Sequence, residues 1–225
     1  MNESVVMEKQ TILIRKIKGD SLIEKQDEVA LEQAFEIALH SGEKLHGFCT
    51  PAYMEEMILG SRFLAGDLTE AELKEFVEFA KEKETLNEVD IPEIFQVAED
   101  CFEHPGSLFA DTGCAHSCAL VYEGKVVCQM EDIGRYNALD KVIGYALKNR
   151  IPFERAYVFA SGRISVGYIS KAAKAGFPMV VSRAAVTKAA VDFAKEQQMT
   201  LVGFIRKNGG NIYNEGKVRL NEQSR

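Results

Sequence analysis

A thiol, an imidazole and a second thiol at alternate positions, Cys114, His116 and Cys118, are the residues best suited to chemistry in this chain. They lie in Thr112-Gly113-Cys114-Ala115-His116-Ser117-Cys118, which enters a strand-like run. The two-residue period of a strand would turn all three to one face. A thiol beside a histidine gains thiolate character and can act as a nucleophile. Three soft ligands would also suit zinc, but extended alternate spacing is not that of a zinc knuckle and a fourth ligand is not obvious. The third reading is two buried cysteines flanking a hydrogen-bonded histidine, since cysteine is among the most buried residue types. The residues alone leave all three open.

A second stretch, Glu131-Asp132-Ile133-Gly134-Arg135-Tyr136-Asn137-Ala138-Leu139-Asp140-Lys141, joins a hairpin to a helix. Asp132 could cap that helix. Two carboxylates with Arg135 could position a polar ligand or a metal, and they could equally be a capped helix start with surface ion pairs.

The third set of residues belongs to turns. Ser161-Gly162-Arg163, then Ser182-Arg183-Ala184-Ala185-Val186-Thr187-Lys188, then Arg206-Lys207-Asn208-Gly209-Gly210-Asn211 each follow a short apolar run. Those runs, Ala156 to Ala160, Met179 to Ser182 and Leu201 to Ile205, read as buried strands. Helices are expected between them, from Ser165 to Ala175, stopped by Gly176, and from Thr187 to about Gln197. Such a β-α-β-α-β unit makes a parallel sheet with right-handed crossovers. Ligands of open parallel sheets bind beyond the carboxyl ends of the strands, so the three loops should share one rim. It would gather Arg163, Arg183, Lys188, Arg206 and Lys207 with hydroxyls, glycines and two helix starts. That is the equipment a phosphate or pyrophosphate needs. None of the loops is a P-loop or a dinucleotide fingerprint.

The remaining elements must hold these groups in place. Thr11 to Ile17 and the stretch from Val29 to Leu39 read as strands. Thr50-Pro51 reads as an N-cap and first residue of a helix reaching about Leu64. Thr69 with Glu72 is a capping box, followed by Leu73, Phe76, Val77 and Ala80 at helical spacing. Asp90 with Glu93 repeats that signal ahead of Ile91, Ile94, Phe95, Ala98 and Phe102. Cys118 to Tyr122 and Lys125 to Met130 make a hairpin about Glu123-Gly124, and a helix carrying Leu139, Val142, Ile143, Ala146 and Leu147 ends before Pro152. The chain divides into an N-terminal α+β part, 1–103, and an α/β ligand-binding core, 104–225.

The bulk properties narrow the choice. The net charge of −7 disfavours general binding to nucleic acid or membrane surfaces, so an anion site must be built locally. No apolar run approaches the ~20 residues of a membrane span, and the polar N-terminus lacks the apolar stretch of a signal peptide. We therefore expect a cytoplasmic protein. Its five cysteines, an odd number without a Cys-x-x-Cys, argue against structural disulfides there.

Taken in order, these stretches resemble the formate dehydrogenase accessory protein (FdhD/NarQ) family. The resemblance is carried by Thr50-Pro51, Leu108 to Gly113, His116, Glu131 to Arg135, Asn137-Ala138, Asp140-Lys141, Ser161-Gly162-Arg163, Lys171-Ala172-Ala173 with Ala175-Gly176, and Thr200 to Arg206. It implies an α/β fold with a cytidine-deaminase-like three-layer core and a partly parallel sheet, without implying deamination. It further implies cytoplasmic homodimers that bind molybdopterin guanine dinucleotide and pass sulfur to it from a cysteine desulfurase, so that formate dehydrogenase or a related molybdoenzyme becomes active. The cofactor would meet Ser161, Gly162, Arg163, Ser182, Thr187, Phe204, Ile205, Arg206, Lys207, Asn208 and Gly209, with Asp132, Arg135 and Asn137 beside them.

The chain departs from the family at several points. The family's Cys-Gly-x-Cys loop, the persulfide carrier, should precede the Thr-Gly-x-x-His motif. Here that region is Thr69 to Glu103, and its one cysteine is Cys101. Tyr136 stands where the family has histidine, Gly167 where it has glutamate, and Ser182 to Thr187 where it has Ser-Ala-Pro-Thr. Sulfur transfer would then fall to Cys114 or Cys118, with His116 beside them. The alternative is a non-catalytic paralogue that only binds or delivers the cofactor or chaperones an apo-enzyme. A zinc-dependent hydrolase using Cys114, His116 and Cys118 is a third reading, although the deaminase His-x-Glu and Pro-Cys-x-x-Cys signatures are missing.

Overall fold

The computed structural model describes residues 8–76, 85–103, 106–207 and 209–222. Its centre is a six-stranded mixed sheet in the order β11 (Gly209–Asn214), β10 (Thr200–Arg206), β9 (Met179–Ser182), β8 (Ala156–Ala160), β6 (His116–Tyr122), β7 (Lys125–Asp132). The strands β8, β9 and β10 are parallel to one another, as the alternating pattern requires. The hairpin β6–β7 turns at Glu123 and Gly124, both with positive φ, and pairs antiparallel along β8.

Helices cover both faces. On one side lie α5 (Arg135–Lys148), α6 (Val166–Ala175) and α7 (Lys188–Glu196), on the other α3 (Ile91–Glu103). The alternation in β8 feeds both layers. Ala156, Val158 and Ala160 enter the core under α5 and α6, while Tyr157 and Phe159 pack with Ile94, Val97 and Cys101 of α3. This is why β8 reads as an unbroken apolar run. Gly176 takes a left-handed conformation and ends α6, as its position predicts.

The N-terminal elements differ more from expectation. The strand expected over Val29 to Leu39 is the end of β2 (Ser21–Ala30) followed by β3 (Gln33–Ala38), because β2 pairs with β1 (Lys9–Lys18) and β3 with β4 (Lys44–Cys49). Thr50 does not cap a helix. The first helix, α1 (Met54–Ala65), starts three residues beyond Pro51, after a left-handed Tyr53, and Thr50 is used elsewhere. Glycines let α1 lie against α5: a Cβ on Gly60 would sit 2.1 Å from the Asp140 carbonyl oxygen, and one on Gly144 would sit 1.9 Å from that of Glu56.

The capping box at Thr69 is present. The Thr69 N–H donates to Glu72 at 2.8 Å and the Glu72 N–H donates to Thr69 Oγ1 at 3.3 Å, opening α2 (Glu70–Phe76). Val77 and Ala80 lie outside the described residues. The Asp90 signal falls at the junction of β5 (Glu88–Asp90) and α3, where Glu93 accepts instead from the Tyr157 hydroxyl at 3.0 Å. A last strand, β12 (Arg219–Asn221), pairs with β5.

Candidate functional site

The carboxyl ends of β8, β9 and β10 lie along one edge of the sheet, and their loops are knitted into one surface. Ser182 Oγ donates to the Gly162 carbonyl at 2.8 Å and accepts from the Ala184 N–H at 2.9 Å. The Phe204 N–H donates to the Ala184 carbonyl at 3.0 Å, and Ile164 forms a parallel bridge with Val186. First loop, second loop and third strand are thus linked by hydrogen bonds that secondary structure does not require. Arg163, Arg183, Arg206 and Lys207 are exposed on this surface. Lys188 is exposed too and pairs with Asp192 on its own helix.

At the third strand the backbone is strained. Phe204 has φ 56°, and the pairing of β10 with β11 shifts register between Gly203 and Arg206. A bulky residue in the left-handed region is an outlier, and bulges of this kind re-aim side chains at the ends of strands.

The same edge receives two further groups. Because β6 runs antiparallel to β8, its first residue lies beside the end of β8. The Ser117 N–H donates to Ser161 Oγ at 2.9 Å, and the Ser161 N–H donates to the Ser117 carbonyl at 3.0 Å. Because β7 pairs with β6, Asp132 is opposite His116. The cysteine-histidine stretch, the acidic turn and the three loops therefore meet along one edge. The residues alone placed only the three loops there, since they gave β6 no direction; the family resemblance added Asp132, Arg135 and Asn137.

His116 and Arg135 converge on Gly162: a Cβ there would lie 3.2 Å from His116 Nδ1 and 3.5 Å from Arg135 Cδ. Burial, with Arg135 and then Arg163 nearby, holds the His116 pKa below its ordinary value, which favours the neutral imidazole. Arg135 keeps a buried Nε without a partner, an unmet donor at the rim. Tyr136, which the resemblance sets in place of a histidine, shares a hydrogen bond with the Ser165 hydroxyl at 2.7 Å. A Cβ on Gly167 would lie 3.2 Å from the Tyr136 hydroxyl, so the two departures meet in space.

Several residues expected at the ligand are engaged by bonds within the fold. Asp132 is fully buried: Oδ2 accepts from the Thr50 N–H at 3.0 Å and pairs with Lys141 at 2.8 Å, while Oδ1 accepts from the Gly134 N–H at 2.8 Å and from Asn137 at 2.9 Å. Lys141, also buried, spends its other protons on Thr50 Oγ1 and the Glu131 carbonyl, at 2.6 and 3.0 Å. Asn137 is taken up by Asp132 and the Phe48 carbonyl. Glu131 receives the Leu108 and Phe109 N–H groups, both at 3.0 Å, at the start of α4 (Ser107–Thr112). Ser182 and Ile205 are buried, and Thr187 caps α7 by accepting from the Ala190 N–H at 3.2 Å. Gly209 is half-buried, and Asn208 lies outside the described residues.

The two candidate thiols part company. The strand begins at His116, so the two-residue period joins His116 to Cys118 and leaves Cys114 in the preceding turn. Cys118 is fully buried, takes the Tyr168 hydroxyl at 3.4 Å, and is pushed up to about 12 by burial. A thiol so placed is a poor nucleophile, and Cys118 belongs to the core. Cys114 is exposed and lines a cavity of about 510 Å³ with Cys101, Phe109, His116, Ser161 and Arg183. Among the described residues, no three His, Cys, Asp or Glu side chains are placed to hold a metal, so the zinc-hydrolase reading has no ligand set. None of the described helices is long and apolar enough to cross a membrane.

Fold and site define a mixed α/β protein whose strand ends share one basic, cavity-bearing edge. The chain belongs to the FdhD/NarQ family, whose model matches residues 66–220. It is 30% identical over 247 residues to a sulfur carrier protein FdhD of Geobacillus kaustophilus, covering 89% of this chain and 93% of that protein. It is 42% identical over 137 residues to one of Wolinella succinogenes, covering 60% of this chain and 48%, about half, of that protein. A crystal structure from Desulfotalea psychrophila, described as a formate dehydrogenase accessory protein, superposes with a TM-score of 0.80 at 25% identity, covering 92% of this chain and 97% of that one.

Proposed function

We propose that this protein is a formate dehydrogenase accessory factor that binds the guanine-nucleotide end of a molybdopterin cofactor on the rim beyond β8, β9 and β10, and carries sulfur for it. The observation that carries the reading is the linkage of the first two loops to each other and to the end of β10 through Ser182, Ala184 and Phe204. Loops that merely solvate a surface need no such bonds, whereas a preorganised anion site does. Arg163, Arg206 and Lys207 supply exposed cations, and Arg135 supplies an unpaired buried donor. In a chain of net charge −7 this concentration of positive charge favours a phosphate-bearing ligand.

The non-catalytic alternative draws on the missing Cys-Gly-x-Cys. Against it stands Cys114, an exposed thiol in a cavity on the same edge. The apo-molybdoenzyme, a cysteine desulfurase and a second copy of the chain are the partners this reading requires.

Calorimetric titration with GDP, a soluble stand-in for the nucleotide end, tests the ligand. Saturable binding is expected in the native chain. The Arg206→Ala variant should bind about 10-fold or more weakly, the loss of one charge-assisted hydrogen bond. Absence of binding in the native chain would remove the cofactor from the account.

A further inference from the structure

We propose that Tyr136 is a positioning residue of the anion site: its ring and hydroxyl hold the Arg135 guanidinium beside the first rim loop, so that Arg135 meets the ligand's phosphate as a fixed donor. The proposal rests on the ligand-binding part of the reading above and adds a residue that acts only through another.

Three observations support it. First, Tyr136 holds Arg135 with both its ring and its hydroxyl. The guanidinium carbon lies 4.8 Å from the ring centroid, and Nη2 donates to the hydroxyl at 3.4 Å. Lys171 Nζ lies 5.8 Å from the same centroid and is fixed in turn by the buried Asp140 at 2.6 Å. An aromatic face attracts cations so placed. Second, Ser165 gives up an ordinary task for Tyr136. It is the N-cap of α6, where a serine hydroxyl usually accepts a backbone N–H, yet it makes no such bond. Its hydroxyl is shared with Tyr136 at 2.7 Å instead, which ties Arg135's neighbour to the chain leaving the first loop. Third, α6 leaves room for the phenol. Glycine is disfavoured inside a helix, but a Cβ on Gly167 would stand 3.2 Å from the Tyr136 hydroxyl, tighter than most Cβ contacts.

What is held in place is a donor with capacity to spare. Arg135 Nε is buried and has no partner, and a Cβ on Gly162 of the first loop would lie 3.5 Å from Arg135 Cδ. A free arginine side chain must be ordered when it binds an anion, and that ordering costs affinity. Tyr136 orders Arg135 before the ligand arrives. Its contribution to affinity therefore exists only while the guanidinium is there to be ordered.

The test is a double-mutant cycle on the full chain, read by calorimetric titration with GDP. Tyr136→Phe keeps the ring and removes the hydroxyl, and it should bind roughly 3- to 10-fold more weakly, the loss of one hydrogen bond in the support of the site. Arg135→Lys keeps the charge and removes the guanidinium. In that background the change Tyr136→Phe should cost less than about 2-fold, because nothing is left for the hydroxyl to orient. A general structural role, or direct contact between Tyr136 and the ligand, would cost the same in both backgrounds. Equal losses in the two backgrounds, or no loss in Tyr136→Phe, would overturn the proposal while leaving GDP binding intact. No binding of GDP to the native chain would remove the ligand reading itself, and the role of Tyr136 with it.

Discussion

The acidic turn from Glu131 to Lys141 and the loops beyond β8, β9 and β10 both carry the family resemblance, and they meet on one edge of the sheet. They do opposite work. In the turn, Asp132 and Lys141 are completely buried and each answers the other, with Thr50, Gly134 and Asn137 satisfying what remains. Around the loops Ser182 and the Phe204 N–H tie the backbone together, but the cations Arg163, Arg206 and Lys207 are exposed. Arg135 with its unpaired Nε apart, the first region spends its polar groups on the fold and the other keeps them available. A motif of charged residues can therefore mark a brace as readily as a binding surface, and burial separates the two.

The contrast is most sharply broken at Lys141. Replacing it by methionine strips Asp132 of its buried counter-ion, and removing one partner of a buried pair costs about 3–5 kcal/mol. Urea unfolding should show a loss of that size. A loss below about 1 kcal/mol would mean that the turn is not a brace.

A smaller loss is expected at Ser182, the residue through which the rim borrows the brace's strategy. Ser182→Ala leaves the Gly162 carbonyl and the Ala184 N–H without their partner, at about 1–3 kcal/mol. It should also weaken GDP binding without touching any exposed cation. Unchanged affinity would show that the loop linkage does not shape the site.

The smallest effect is that of His116, where the two regions touch. Its pKa is lowered, first by burial and then by Arg135 and Arg163. Below the ordinary histidine value of about 6.5 the unfolded chain takes up a proton that the folded chain resists. Stability should therefore fall as pH drops through that window, and His116→Gln should flatten the slope. An equal slope in both proteins would put the titration elsewhere.

Much of the rim was legible because its elements announce themselves locally. β8, β9 and β10 are short apolar runs, Ser165 and Thr187 flank helix starts, and Gly176 marks a helix end. The brace was not legible, because its bonds join residues far apart in sequence. Thr50 looks like a helix cap beside Pro51, and only the folded chain shows its N–H and hydroxyl on Asp132. Lys141 falls in a stretch that could be a capped helix start with surface ion pairs, yet it is buried. Cys114 and Cys118 look equivalent by period two, and the start of β6 at His116 separates them. In each case what failed was an inference from neighbours in sequence about partners in space.

The measurement that tests this division most directly is hydrogen–deuterium exchange with and without saturating GDP. Slowed exchange should appear in the loops at 161–163, 183–188 and 206–210, with the segment 132–141 unchanged. Protection confined to 132–141, or to the exposed hairpin β1–β2, would contradict the assignment of the rim as the ligand site and of the acidic turn as its support.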